Sequence, residues 1–236
     1  MSSENVVPLQ EYDRSVKLRI LALAIFISLL WFVRAIDSLL PGGFSAAGAG
    51  IVPRTTGGLE GIVIAPFVHA DWDHLIANSV PVAILGGLIL LRGLTEFVFA
   101  LISSVLISGV GTWIFGEGNA EHIGASGVVL GFIGFLIFRC AFDRRLSTLL
   151  ITMIVAILYG AGVGTSLIPD TDVSWSGHFF GFVGGFVAAR LRYQSSSSPI
   201  RQIAHDTRET VHDSSEPFVI EGLRRVGDGV IVRIPE

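Results

Sequence analysis

Apolar and polar residues alternate along this chain in long blocks. Six apolar runs, joined by short polar connectors, fill the sequence from about residue 18 to residue 192. A helix needs roughly 17–25 apolar residues to cross a bilayer, and the runs predict spanning helices at about 18–40, 74–92, 95–115, 123–141, 146–168 and 173–191. The small residues of "SAAGAG" (45–50) resemble a signal-cleavage site, but they lie beyond Arg34 and Asp37 and more than ten positions past Val33. A retained first helix is therefore expected.

Composition supports this pattern. Of 236 residues, 51% are hydrophobic and only 15% charged, and mean hydropathy is +0.67. A soluble domain carries about a quarter charged residues. The expected fold class is all-α, a polytopic membrane protein with six transmembrane helices. Three parts are expected: a segment 1–17, a helical core 18–192, and a polar tail 193–236. In that tail two β-rich runs flank Gly-Asp-Gly, a pattern for a small hairpin.

Charge matters by side rather than by sum. Arg14, Lys17, Arg19, Arg92, Arg139, Arg144, Arg145, Arg190 and Arg192 fall on one alternate set of flanks, while the other set holds only Arg54. The positive-inside bias then puts both termini in the cytoplasm, and the chain is expected to be a multi-pass protein of the cell (plasma) membrane. The loops before spans two, four and six should face outward. The net charge of −4 therefore says little about partners, and no long basic tract points to nucleic acid. A single cysteine, Cys140, excludes an internal disulfide.

Polar side chains inside membrane helices are costly and mark functional sites. Here His69, His74 and Asn78 flank the start of span two, Ser126 opens span four, and His178 lies near the start of span six. His74 and Asn78 share a helix face through their i, i+4 spacing. By the predicted topology all of them enter from the outward side at similar shallow depth. Gly177, Gly181, Gly185 and Ala189 form a small-residue stripe, and Gly127 and Gly131 repeat its spacing. Such stripes let membrane helices approach closely, which would bring Ser126 within reach of His178. Taken by itself, Ser126 reads first as a packing residue whose hydroxyl bonds a carbonyl one turn back, and only the joint pattern with His178 favours catalysis. His69, Asp71, Asp73 and His74 could be weighed as a metal site, but the spacing lacks an HExxH-type arrangement, so no metal is expected. A transporter would show paired halves with broken helices, and no such repeat is present.

At these residues the sequence resembles the rhomboid family of intramembrane serine proteases. "HADWDHLIAN" (69–78), "GASG" (124–127) and "GHFFG" (177–181) match the family's motifs in spacing, order and helix number. The resemblance implies a rhomboid-like six-helix bundle and an endopeptidase that cuts membrane segments near their outer ends. It assigns Ser126 as nucleophile and His178 as general base, acting as a dyad. His74, Asn78 and the backbone N–H of Ser126 would bind the oxyanion. His69 would support the site, and Gly124 and Gly127 would admit the substrate backbone. No cofactor is implied. The expected partners are the lipid bilayer and single-span or polytopic membrane proteins as substrates. Two departures stand out: Leu130 occupies a position often aromatic, and the first outward loop lacks the family's common Trp-Arg pair. The competing reading is an inactive relative that binds and manages transmembrane clients.

Overall fold

In the computed structural model the described residues are 9–39, 48–118, 120–143, 145–166, 174–196 and the two strands at 223–226 and 229–232. The helices are α1 (Leu9–Asp37), α2 (Gly58–Ile64), α3 (Trp72–Leu90), α4 (Leu94–Phe115), α5 (Ser126–Phe142), α6 (Leu146–Ser166) and α7 (Trp175–Ser196). A 3-10 turn, Ala65–Phe67, follows α2. The chain folds as an all-α membrane bundle whose six long helices follow the six apolar runs. Among the described residues, α1, α3, α4 and α6 contain stretches long and apolar enough to cross a membrane by length and composition.

The helix bounds depart from the apolar runs for local reasons. Helix α1 starts at Leu9, because "LQEYDRSVK" favours helix although its charges keep it out of an apolar window. Helix α5 starts at Ser126 rather than near 123, since Gly124 takes a left-handed φ of +103° that no helix continues. Helix α7 runs on to Ser196, past the end of its apolar run.

The short helix α5 is the centre of the bundle. Its 17 residues would span about 26 Å at 1.5 Å each, and every residue from Gly127 to Leu136 is buried. Burial all round is what a helix apolar on every face requires. Helices α3, α4 and α6 pack directly on it. Phe97, Phe132, Phe135, Leu75, Leu85 and Ile89 fill the core between them. By contrast, α1 and α6 present Phe32 and Ile157, 62% and 77% exposed, on faces suited to lipid.

The glycine stripes bring α7 onto α5. A Cβ placed on Gly181 would collide with the backbone of Gly127, and one on Gly185 with the backbone of Gly131. Only glycine permits this approach, and the dispersion gained along two facing backbones replaces the missing hydrophobic drive between membrane helices.

On the Ser126 end of the bundle, the segment before α2 is strapped to the segment before α5. Ile51 and His122 exchange two backbone hydrogen bonds, of 2.9 and 3.0 Å. Gly50 N donates to Glu121 Oε1 at 2.6 Å. The Arg54 guanidinium donates to the carbonyls of Ile114 and Gly116 at the end of α4.

Residues 194–236 form a separate unit. Within it β1 (Leu223–Val226) and β2 (Gly229–Val232) pair antiparallel, with Leu223 opposite Val232 and Val226 opposite Gly229.

Candidate active site

Three helix starts converge on one point. Ser126 is the first residue of α5, and His178 lies in the first turn of α7. The His178 Nε2 and the Ser126 Oγ are 2.8 Å apart, inside the range for a nucleophile and its base. Close packing through Gly127 and Gly181 sets that separation, because each lies next to one of the two residues or three positions from it.

The turn into α5 is held in an unusual shape. Gly124 has its positive φ, and its N–H donates to the Ala65 carbonyl at 2.9 Å. A Cβ on Gly124 would stand 2.7 Å from His74 Nε2 and 3.7 Å from Asn78 Nδ2. So the two α3 side chains lie against the turn that delivers Ser126. Asn78 is buried, and its Nδ2 donates to the His74 carbonyl at 2.9 Å. Asp71 starts α3 by accepting the His74 N–H at 2.7 Å, the ordinary role of an aspartate N-cap.

His69 ties the same turn to the preceding segment. Its Nε2 accepts the Ala125 N–H at 3.4 Å, and its Nδ1 faces the Phe67 carbonyl at 3.4 Å. Both contacts suit a neutral ring that carries its proton on Nδ1. Burial, reinforced by His74 beside it, lowers its pKa to about 4. The His69 and His74 rings meet edge to face with centroids 5.1 Å apart. The ring is only 1% exposed, so it works as a buried strut.

No side chain caps the start of α5. The first N–H groups of a helix have no intrahelical acceptor and carry the positive end of its dipole. The opening of α5 can therefore receive negative charge beside Ser126. An open cleft adjoins it, lined by Ser126, Gly127, Ile62, Val105, Ser108 and Thr112 among others. Ser108 Oγ donates to the Gly177 carbonyl at 2.8 Å, next to His178. His122 also lines the cleft, and burial holds its pKa below the ordinary value.

This constellation can be set beside known proteins. Residues 56–195 match the family described as the Rhomboid domain. This chain belongs to the rhomboid family. An uncharacterised protein of Mycobacterium tuberculosis is 39% identical over 70% of this chain and 72% of its own length. YdcA of Bacillus subtilis, by name a provisional rhomboid protease, is 28% identical over 56% of this chain and 67% of its own. The chloroplastic Rhomboid-like protein 11 of Arabidopsis thaliana is 27% identical over 63% of this chain and 56% of its own. The chain is thus an integral membrane protein of a family that includes serine intramembrane proteases.

Every rhomboid motif residue singled out in the sequence lies in this one region. Gly127 is enclosed: a Cβ there would strike Ser108 Oγ and approach the Gly177 carbonyl at 3.3 Å. Leu130 is buried in α5. The ring of Phe182 packs on Phe138, and that of Phe179 on Phe180. Asp170 and Asp172, which precede α7 in the chain, lie outside the described residues. Sequence reasoning passed over Ser104, Ser108 and Thr112, which are spaced i, i+4, i+8 along α4 and face the glycines of α5 and α7. That hydroxyl stripe in an apolar run was the available signal.

Proposed function

We propose that this rhomboid-family protein is an intramembrane serine endopeptidase that cleaves transmembrane segments of membrane proteins near their outer ends, in the plasma membrane. The 2.8 Å approach of His178 Nε2 to Ser126 Oγ is the observation that carries this reading. Ser126 Oγ attacks the scissile carbonyl while His178 Nε2 takes its proton. The tetrahedral oxyanion is received by the Ser126 N–H at the opening of α5, with His74 and Asn78 donating from α3. His178 returns the proton to the leaving amine, and the ester left on Ser126 is hydrolysed by water that His178 activates.

The polar mouth formed by the starts of α3, α5 and α7 suits hydrolysis within an apolar bundle. Water is kept by hydroxyl and imidazole groups that the lipid-facing surface lacks. A helical substrate must locally unwind to expose a carbonyl, so a segment with helix-weakening residues near its outer end is favoured.

Labelling by a fluorophosphonate probe, together with cleavage of tagged single-span proteins in membranes, tests the proposal. Wild type should label and cleave, while Ser126→Ala and His178→Ala should lose both, by about 10³-fold or more in rate. Labelling retained in Ser126→Ala would sink the assignment. Absence of labelling and cleavage in folded wild type, with client binding intact, would favour the inactive client-binding reading instead.

A further inference from the structure

The end of α5 opposite Ser126, roughly 20 Å away along the helix, carries a second polar cluster that the proposed chemistry does not use. Arg92 Nη2 pairs with Asp143 Oδ2 at 2.5 Å, and Arg92 Nη1 donates to Thr148 Oγ1 at 3.0 Å. Arg192 Nε pairs with Glu96 Oε1 at 3.2 Å across α7 and α4. Arg139, in the last turn of α5, is 6% exposed, and its Nε and Nη1 are buried without a hydrogen-bond partner. Among the described residues, the charged groups within electrostatic reach of it are Glu96, Arg92, Asp143 and Arg192.

The charges do not balance. Arg139 is buried and the side chains of Arg92 and Arg192 are 17% and 12% exposed, so three largely enclosed guanidiniums face the two carboxylates of Glu96 and Asp143. Arg145 also approaches Asp143, at 3.4 Å, but its side chain is 80% exposed and water already serves it. Glu96 Oε2 has no hydrogen-bond partner, but the single negative charge of Glu96 is already matched by Arg192. A guanidinium does not shed its proton in a protein, and a buried charge without a partner is strongly unfavourable. The carbonyls ending α5 offer only partial negative charge. Among the described residues, the cluster is short of one full anionic charge.

We propose that Arg139, flanked by Arg92 and Arg192, binds a phosphate group, either that of an anionic lipid headgroup or a soluble phosphate anion. Planar guanidiniums match phosphate oxygens in paired hydrogen bonds. The cluster stands at the end of the bundle that the arginine bias assigns to the cytoplasm, where basic pockets between membrane helices take lipid phosphates.

Thermal unfolding of the purified full chain in an uncharged detergent tests this, with four additions compared: phosphatidylcholine, phosphatidylglycerol, inorganic phosphate, and chloride at matched ionic strength. Phosphatidylglycerol should raise the wild-type midpoint by about 2–4 °C over phosphatidylcholine. The shift should vanish in Arg139→Gln and persist in Arg145→Gln. An equal shift with inorganic phosphate supports the site and identifies a soluble anion as its source; no shift with phosphate identifies the lipid. A wild-type midpoint that responds to neither beyond chloride overturns the proposal, as does a shift kept in Arg139→Gln. Should Arg139→Gln not fold, native mass spectrometry of wild type decides: preferential retention of phosphatidylglycerol supports the site, and equal retention of both lipids overturns it. None of these readouts depends on proteolysis, so they stand or fall apart from the function proposed above.

Discussion

The two ends of α5 solve the same problem, burial of polar groups in an apolar bundle, by opposite means. At the Ser126 end the groups are hydroxyl, amide and imidazole, all able to be neutral, and they sit beside uncapped backbone N–H groups. At the Arg139 end the groups are permanent charges, held by two ion pairs with one guanidinium in excess. Neutral groups can exchange partners cheaply, which suits a site that must pass protons. Fixed charges lock helices together and punish any change. On the proposed function, reactivity and rigidity are thus separated along one helix of 17 residues.

The contrast can be broken experimentally, most strongly at the charged end. Glu96→Gln leaves Arg192 without its carboxylate and should cost about 3–5 kcal/mol of stability. Thermal or denaturant unfolding in detergent would show it, while the surviving folded fraction keeps its turnover. A variant as stable as wild type would mean that the pair with Arg192 contributes little. Asn78→Ala, at the neutral end, should do the reverse. Removing one oxyanion donor should lower kcat by about 10²–10³, with unfolding nearly unchanged. Single-turnover cleavage kinetics measure the first effect, and an unaltered kcat would remove Asn78 from the oxyanion site.

Acid should act on the neutral end through His69. Its pKa is about 4 in the folded chain against an ordinary 6.5, so below pH 6.5 the unfolded chain takes up a proton that the folded one refuses. Stability from this residue is complete above pH 6.5 and falls as pH drops toward 4, by on the order of 3 kcal/mol in all. Comparing unfolding at pH 7 and pH 5 in wild type and His69→Leu isolates this share, since leucine has nothing to titrate. Parallel pH profiles for the two proteins would show that His69 is not the group responsible.

Much of this organisation was legible before any coordinates. The apolar blocks located all six long helices, because hydrocarbon thickness sets a minimum length that hydropathy reveals. Their ends were less legible, since hydropathy marks where a helix is apolar and not where its hydrogen bonds stop. Leu9–Val16 is helix without being apolar, and Ile123–Ala125 is apolar or small without being helix. Gly124 shows the reason at the second site: its φ of +103° is a property of one residue, invisible to any window average. The hydroxyls of Ser108 and Thr112 were missed because a serine or threonine in an apolar run bonds its own helix as readily as a neighbour. Similarly, nothing in the order of residues revealed that Arg139 would lack a carboxylate, since the pairing of Arg92 with Asp143 and Arg192 with Glu96 joins positions about fifty and about a hundred apart.

From composition and spacing alone follow a membrane bundle, a set of polar residues entering from one side, and two glycine stripes able to meet. Those are consequences of short-range rules: the oiliness of a run and the 3.6-residue period that puts every fourth residue on one face. Only the folded chain decided that Gly181 faces Gly127, so that Ser126 and His178 stand 2.8 Å apart. It also decided that His69 braces the turn before the serine and that one buried arginine is left over at the far end. Distances between segments depend on how whole helices seat against one another, and that is fixed by packing summed over the entire bundle.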